Sequence, residues 1–212
     1  TVLYDSIPEA EERETLTKAA ALFETIHRAQ QASVTTSPIV VHEKIKAAPG
    51  RNKRVLLIDY EDSFVHTLAN YIRQTGAIVT TLRHGFPESV FDVEKPDLVV
   101  LSPGPGKPRD FGVPETVRAC INRQIPIFGV CLGLQGTVEA FGGKLGVLSY
   151  PQHGKSSRIF IKDPESPMFA GLPPSFEVGR YHSLYALPEH LPEELTVTAI
   201  SHDNVIMGIE HK

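Results

Sequence analysis

The sequence predicts an α/β fold with a mostly parallel sheet and helices on both of its faces. Between residues 53 and 141, short apolar runs alternate with segments of helical periodicity, which is the pattern of repeated βαβ units. The chain has 212 residues, of which 41% are hydrophobic, so it can bury one substantial core. We therefore expect one main domain with an appendage.

The parallel part of the fold comes first along this domain. Apolar runs bounded by Gly, Pro or Asp predict buried strands, and capped periodic segments predict helices. The predicted strands are residues 54–59, 77–82, 97–102 and 125–130, and the predicted helices are 62–75, 114–123 and 132–141. After Gly142 the chain is rich in proline, with candidate strands at 157–161, 176–182, 195–201 and 205–209.

The first 52 residues have a different character. Residues 5–30 carry a helix signature, in which a capping box of Ser6 and Glu9 precedes a weakly apolar face. A Ser/Thr-rich piece and an Ala-Ala-Pro-Gly piece then flank a short apolar segment, which is typical of an interdomain linker. The main domain is expected to begin near Lys53.

Composition excludes several classes of function. The 21 Lys and Arg against 25 Asp and Glu, without a basic run, predict no nucleic-acid partner. No stretch approaches the roughly 20 apolar residues of a membrane span and no signal peptide opens the chain, so we expect a cytoplasmic protein. The two cysteines have neither a disulfide framework nor metal-ligand spacing, and no metal is expected. Cys120, inside a predicted helix, is interpreted as packing.

Cys131 is the candidate nucleophile. The run Gly129-Val130-Cys131-Leu132-Gly133 has the form of a nucleophile elbow, with cysteine in place of serine, at a predicted strand-to-helix turn. The helix N-terminus there favours a thiolate and lowers the pKa of a cysteine, and its N–H groups can stabilise an oxyanion. The alternative is a small buried cysteine at a tight turn.

A second loop leaves the carboxyl end of a predicted strand. In Pro103-Gly104-Pro105-Gly106 the prolines fix φ and the glycines permit close backbone approach, so the loop can point N–H groups at a substrate beside Cys131. A stiff surface turn is an equal alternative. The loop lacks the Gly-Lys-Ser/Thr of a phosphate-binding loop, so nucleotide binding is not indicated.

The histidines do not complete a catalytic triad. A nucleophilic cysteine needs a histidine base and an orienting acid. Nine histidines are present, and His153 and His182 stand in distinctive local sequence, but neither has an acidic residue two positions away. No triad can be assembled from these residues alone.

Four motifs together resemble the class I (triad-type) glutamine amidotransferases, especially those that serve chorismate-using synthases. The motifs, in order, are SPGPGKP at 102–108, FGVCLGLQ at 128–135, HGK at 153–155 and YHSL at 181–184. The resemblance covers about residues 53–212 and implies a flavodoxin-like fold.

The resemblance implies a role for each matched position. Cys131 would attack the side-chain amide of glutamine to give a γ-glutamyl thioester and ammonia, with the backbones of Gly106 and Leu132 as the oxyanion hole. His153, Gly154 and Lys155 would lie toward the synthase partner and couple the two sites, or simply pack there. The glutamine-binding residues would be Gly104, Pro105, Gly106, Gln135, Ser183 and Leu184.

The N-terminal stretch is similar to the last helix of the chorismate-binding synthase of anthranilate synthase. This implies a fused enzyme, with a synthase tail at 1–29, a linker at 30–52 and a glutamine amidotransferase domain at 53–212; a generic charged helix is the alternative. The run DYEDSF at 59–64 also resembles the fused forms. The triad His and Glu of the family would lie beyond residue 212, so this fragment alone is expected to be inactive.

The implied partners are glutamine and a chorismate-using synthase domain in the same parent chain, and a homodimer is left open. No cofactor is expected in this domain, while Mg²⁺ is expected in the synthase domain. Aminodeoxychorismate synthase and a phenazine-pathway synthase are rivals of the same class. A non-catalytic flavodoxin-like interaction module and another cysteine hydrolase are rivals of other classes.

Overall fold

A computed structural model describes residues 48–212, apart from the side chain of His153. The predicted helix at 5–30 and the synthase tail at 1–29 lie outside the described residues, as does most of the predicted linker. The domain limits at residues 29 and 52 therefore stay predictions. Among the described residues, no helix is long and apolar enough to cross a membrane.

Four parallel strands form the first sheet, in the order β2-β1-β3-β4. The apolar runs of the two central strands are buried from both sides, which is why they read as continuous hydrophobic segments rather than as alternating ones, whereas the two edge strands are only partly buried. The strands are β1 (Arg54–Asp59), β2 (Ile78–Arg83), β3 (Leu98–Leu101) and β4 (Ile127–Gly129).

Helices cover both faces of this sheet, as predicted. On one face, Val65 and Ala69 pack against Val55 and Leu57, and on the other face Leu132 belongs to a second, larger cluster. The first face is covered by α1 (Val65–Gln74), and the second by α2 (Ser89–Glu94), α3 (Val113–Asn122) and α4 (Leu132–Ala140). The α/β prediction is confirmed; α2 was not predicted, because six residues are too few to show helical periodicity.

The strand-rich half after Gly142 forms a separate antiparallel sheet, in the order β6-β5-β7-β8. Its strands are β5 (Leu145–Ile161), β6 (Ser175–Ala186), β7 (Leu195–Ser201) and β8 (Ile206–His211). The structure thus adds an antiparallel sheet to the predicted parallel one. Strand β5 begins well before the predicted residue 157, because its register shifts opposite β6 accommodate Pro151 and Gly154 as bulges.

The antiparallel sheet packs against α4. Val138 of α4 is fully buried in one cluster with Ala186, Leu195, Ile206 and Ile209 of the sheet. At its other end, α4 starts with Leu132 in the core of the parallel sheet. One helix therefore joins the two sheets and brings strand β6 close to the turn at Cys131.

Candidate active site

Cys131 lies between the end of β4 and the first residue of α4, with φ 53° and ψ −99°. A positive φ is uncommon for a residue other than glycine and stores backbone strain. This is the sharp strand-to-helix turn of a nucleophile elbow, as the sequence predicts. The thiol is only partly buried, and it lines a cavity.

The flanking glycines are required by close packing. A Cβ at Gly129 would lie 2.6 Å from the carbonyl carbon of Gly133. A Cβ at Gly133 would lie 2.7 Å from both the Cβ and the carbonyl oxygen of Leu101, at the end of β3. Contacts this short involve backbone atoms that cannot move aside cheaply. The two glycines thus let α4 start directly against the sheet and so set the position of Cys131.

The electrostatic setting of the thiol differs from the prediction. Burial raises the pKa of Cys131 above its ordinary value, the Leu132 backbone N–H lowers it, and the Asp62 carboxylate raises it again. The helix N-terminus therefore acts in the predicted direction, but desolvation is the larger effect. The expectation of a net lowered pKa is wrong, and the thiol stays protonated at neutral pH.

The Pro-Gly-Pro-Gly loop lies beside the start of α4. A Cβ at Gly104 would lie 2.5 Å from the carbonyl oxygen of Tyr60 and 2.7 Å from Cδ2 of Leu132. Only glycine therefore lets the loop approach this closely. Gly104 and Pro105 line the same cavity as Cys131. Gly106, with φ 66°, is on the exposed part of the loop and does not line it.

Gln135, one turn into α4, links this helix to the antiparallel sheet. Its side chain is almost completely buried, and its Nε2 donates a hydrogen bond of 3.0 Å to the carbonyl oxygen of Leu184 on β6. A buried amide that reaches a strand backbone fixes the distance between helix and strand. The structure thus brings together two predicted glutamine-binding residues from distant parts of the sequence.

Leu184 turns its backbone groups toward the open edge of β6. This strand is at the edge of its sheet, and the N–H of Leu187 donates to the carbonyl oxygen of Lys144 on the β5 side. Because antiparallel pairs alternate, Leu184 opposite Val147 occupies a non-hydrogen-bonded position. Its N–H and its carbonyl therefore point away from β5.

The cavity beside Cys131 has a volume of about 1440 Å³. Small-molecule sites are commonly about 300–1,000 Å³, so glutamine would fill only part of it. Five of the predicted site residues line the cavity, namely Gly104, Pro105, Cys131, Gln135 and Leu184. Leu132 packs in the core next to it, and Ser183 lies on β6 between two lining residues, His182 and Leu184.

The predicted coupling segment lies on β5 and does not line this cavity, although its partners on β6 do. His153 pairs with Tyr181 and Lys155 with Arg180, with a register shift between them. Gly154 has φ 69°, the left-handed conformation that a glycine bulge uses. Gly154 and Lys155 are exposed. The structure thus places the segment on the surface of the antiparallel sheet, and its role stays a prediction.

His182 lines the cavity but is not available as a base for Cys131. Its Nδ1 lies 2.8 Å from the Leu184 carbonyl oxygen, and its Nε2 accepts a 3.1 Å hydrogen bond from Nε of Arg180. Both ring nitrogens are therefore occupied. Within the side chains that the structure describes, no histidine forms a hydrogen bond to the thiol, in agreement with the failure to assemble a triad from the sequence.

Asp62 and Arg180 are cavity-lining residues that sequence reasoning did not assign to the site. Asp62 follows the end of β1, and burial raises the pKa of its carboxyl group. Arg180 is 1% exposed and forms an ion pair of 2.7 Å with Asp203. The position of Asp62 just after a parallel strand could have indicated it, but nothing local in the sequence marks Arg180 as buried.

Comparisons with known proteins bear on the family of the chain. The family model described as glutamine amidotransferase class-I matches residues 56–212. The chain is 50% identical over 214 residues to an anthranilate synthase of Azospirillum brasilense, covering 100% of this chain but only 28% of that protein. It is 40% identical to an anthranilate synthase component 2 of Methanocaldococcus jannaschii, covering 76% of this chain and 79% of that protein.

A solved structure shows the same fold. A glutamine amidotransferase of Thermotoga maritima superimposes with a TM-score of 0.60 at 17% sequence identity, covering 75% of this chain and 71% of that one. At that identity the likeness concerns the fold alone.

Proposed function

Since this chain belongs to the class I glutamine amidotransferase family, we propose that it is the glutaminase part of an anthranilate synthase. The complete enzyme would convert chorismate and glutamine into anthranilate, glutamate and pyruvate, for tryptophan synthesis. The observation that carries the proposal is the strained elbow of Cys131 in one cavity with Gly104, Gln135 and Leu184. The names of the similar proteins support the choice of product.

The proposed reaction is an acyl transfer to sulfur. The Cys131 thiolate attacks the side-chain amide carbon of glutamine, the C–N bond breaks, and the nitrogen leaves as ammonia after it receives a proton. Water then hydrolyses the γ-glutamyl thioester to glutamate and restores the thiol. The family resemblance assigns the N–H groups of Leu132 and Gly106 to the oxyanion. The Leu132 N–H already contacts the thiol, whereas Gly106 is on the exposed part of its loop. Such donors are each worth about 3 kcal/mol in a transition state.

The raised pKa of Cys131 makes a general base necessary in this proposal. Burial and Asp62 disfavour the free thiolate, and His182 is held by two other partners. The family resemblance assigns this base to a histidine, oriented by a glutamate, that would lie beyond residue 212.

The remaining assignments concern the complete protein. The partner is a chorismate-using synthase domain of the same parent chain, toward which His153, Gly154 and Lys155 are assigned, and it receives the ammonia. Mg²⁺ is assigned to that domain, and no cofactor to this one. The protein is placed in the cytoplasm.

The test is product analysis of the full-length gene product with chorismate and either glutamine or ammonium as nitrogen donor. We expect anthranilate from both donors. Cys131→Ser should abolish the glutamine-dependent rate and leave the ammonium-dependent rate unchanged, because only the first requires the thioester. Cys120→Ser is the matched control, since Cys120 is fully buried in α3 and does not line the cavity, and it should retain both rates.

Three results would contradict the proposal. Formation of another amino derivative of chorismate would indicate one of the same-class rivals. Glutamine-dependent turnover that survives in the Cys131→Ser variant would remove the nucleophile. Labelling by 6-diazo-5-oxo-L-norleucine, a glutamine-like electrophile, that persists in this variant would do the same.

A further inference from the structure

Arg180 is a buried cation with a fixed set of acceptors. It lies on β6 and is 1% exposed. Its Nη1 donates to Asp203 at 2.7 Å and to Ser157 at 3.3 Å, and its Nε donates to Nε2 of His182 at 3.1 Å. Its Nη2 is buried and has no hydrogen-bond partner among the described residues. Burying a guanidinium is costly, so the hydrogen bonds that Nε and Nη1 do make constrain Asp203, Ser157 and His182.

The contact with Arg180 determines the tautomer of His182. A guanidinium has donors only, so Nε2 of His182 must be the acceptor and carry no proton. The ring is then neutral, with its proton on Nδ1. That N–H donates to the carbonyl oxygen of Leu184, 2.8 Å away.

The neutral form is also the form that this environment favours. Burial lowers the pKa of His182, the hydrogen bond with Leu184 raises it, and the positive charge of Arg180 lowers it. The net direction is downward, so at neutral pH the imidazole stays an acceptor on one side and a donor on the other.

The chain of contacts ends at the glutamine-binding residues. The Leu184 carbonyl accepts from His182 on its own strand and from Gln135 on α4. Both Arg180 and His182 line the cavity that contains Cys131. A buried salt bridge adds little net stability to a sheet, because desolvation of the two charges offsets their attraction. It does fix the orientation of the groups that are hydrogen-bonded to it.

We infer that Arg180 and His182 are positioning residues for glutamine: Arg180 sets the tautomer of His182, and His182 holds the Leu184 peptide against Gln135. This inference rests on the proposed function, in which Ser183, Leu184 and Gln135 contact glutamine, and it adds to that function two residues that align these contacts.

The test compares two substitutions of His182 in the full-length gene product. His182→Leu removes the donor to Leu184, and the KM for glutamine should rise about tenfold, which corresponds to about 1.4 kcal/mol, with kcat within about twofold. His182→Asn keeps an amide N–H near the position of Nδ1, so its KM should stay within about threefold of the original value. The ammonium-dependent rate should not change in either variant.

His190→Leu is the matched control, because His190 is exposed in the short helix Pro188–His190, and its KM should not change. An unchanged KM in His182→Leu, or a tenfold increase in His182→Asn, would overturn the inference. If His182→Leu also loses the ammonium-dependent rate, the Asn variant decides alone: a KM within threefold supports the donor role, and a larger increase refutes it.

A second measurement separates this inference from the proposed function. The concentration of 6-diazo-5-oxo-L-norleucine that half-saturates labelling of Cys131 should rise about tenfold in His182→Leu, whichever product the synthase makes. If the unmodified protein is labelled but forms no anthranilate, the proposed product is wrong while the positioning role is still measured. If His182→Leu is labelled with unchanged saturation, the positioning role is wrong.

Discussion

Two neighbouring features of Cys131 act against each other. The left-handed backbone at this residue exposes the sulfur at the end of the parallel sheet, where a substrate can reach it. The partly apolar cavity and the Asp62 carboxylate, however, keep the thiol protonated. Reactivity therefore depends on a base brought to the thiol, and the resting site is protected from adventitious oxidation.

We predict that removing the charge of Asp62 makes Cys131 react at lower pH. A thiolate near a carboxylate is destabilised, so Asp62→Asn should lower the pKa of Cys131 and increase the rate of alkylation by iodoacetamide at pH 8. In the unsubstituted chain the rate should still be rising at pH 9. Mass spectrometry of the labelled peptide measures the rate at each pH.

Asp92→Asn provides the control for this experiment. Asp92 is exposed and paired with Arg123, so its loss should leave the alkylation profile of Cys131 unchanged. Equal profiles for Asp62→Asn and the unsubstituted chain would show that the carboxylate has no effect on the thiol.

The sequence predicts those residues of the site whose role depends on the local backbone conformation. The elbow of Cys131 and the Pro-Gly-Pro-Gly loop follow from the conformational limits of Gly and Pro, which can be read without a structure. The direction of the pKa of Cys131 could not be predicted, because it depends on how much protein surrounds the sulfur and on Asp62, a residue far away in the sequence.

Among the strands, β5 and its pairing with β6 show where hydrophobic periodicity does not predict the length of a strand. The predicted strand at 157–161 is the regular end of β5, and the irregular part from Leu145 onward was missed. Pro151 and Gly154 read as strand breakers, yet the sheet accepts them at its register shifts. The six-residue α2 was missed because it is shorter than two helical turns.

The ion pair of Arg180 and Asp203 joins β6 to the turn between β7 and β8, and its loss should destabilise the domain. Asp203→Ala leaves a buried guanidinium without its anion, and the loss of one partner of a fully buried pair typically costs about 3–5 kcal/mol. Because the Asp203 side chain is 37% exposed, we expect a smaller effect here, a decrease of about 1–3 kcal/mol in the free energy of unfolding. Urea denaturation of the chain, followed by circular dichroism, measures the change.

Glu177→Ala is the matched control in the same sheet. Glu177 pairs with Arg158 at 2.9 Å, but both side chains are more than half exposed, so solvent screens the pair and its loss should change the free energy of unfolding little. A loss in Asp203→Ala no larger than that in Glu177→Ala would mean that water compensates Arg180 despite its burial.

In the domain as a whole, α4 is the common element of two sheets. Leu132 at its start belongs to the core of the parallel sheet, and Val138 near its end belongs to the core of the antiparallel sheet. The α/β class and most strand positions follow from apolar runs in the sequence. The assignment of each strand to one of the two sheets depends on contacts between distant segments, and so does the packing of α4 on both sheets. Local patterns in the sequence could therefore not predict either.

We predict that the described domain unfolds as one unit in which α4 participates. Val138→Ala removes two buried methyl groups and should lower the free energy of unfolding by about 1–3 kcal/mol in a single transition. The chain has no Trp and six Tyr, so far-UV circular dichroism and tyrosine fluorescence are the two probes. Transitions with different midpoints would show that the sheets unfold separately.

Val147→Ala is the control for this substitution. Val147 lies on β5 and is 70% exposed, so its truncation should change stability by less than about 0.5 kcal/mol.

The double acceptance at the Leu184 carbonyl restricts what this residue can offer to a ligand. A carbonyl oxygen has two lone pairs, and here the Gln135 amide and the His182 ring occupy both. The N–H of the same residue points to the same open edge of β6 and can only donate. At Leu184 the cavity wall therefore presents a hydrogen-bond donor and no free acceptor. It suits a carboxylate group of an amino acid and not an ammonium group.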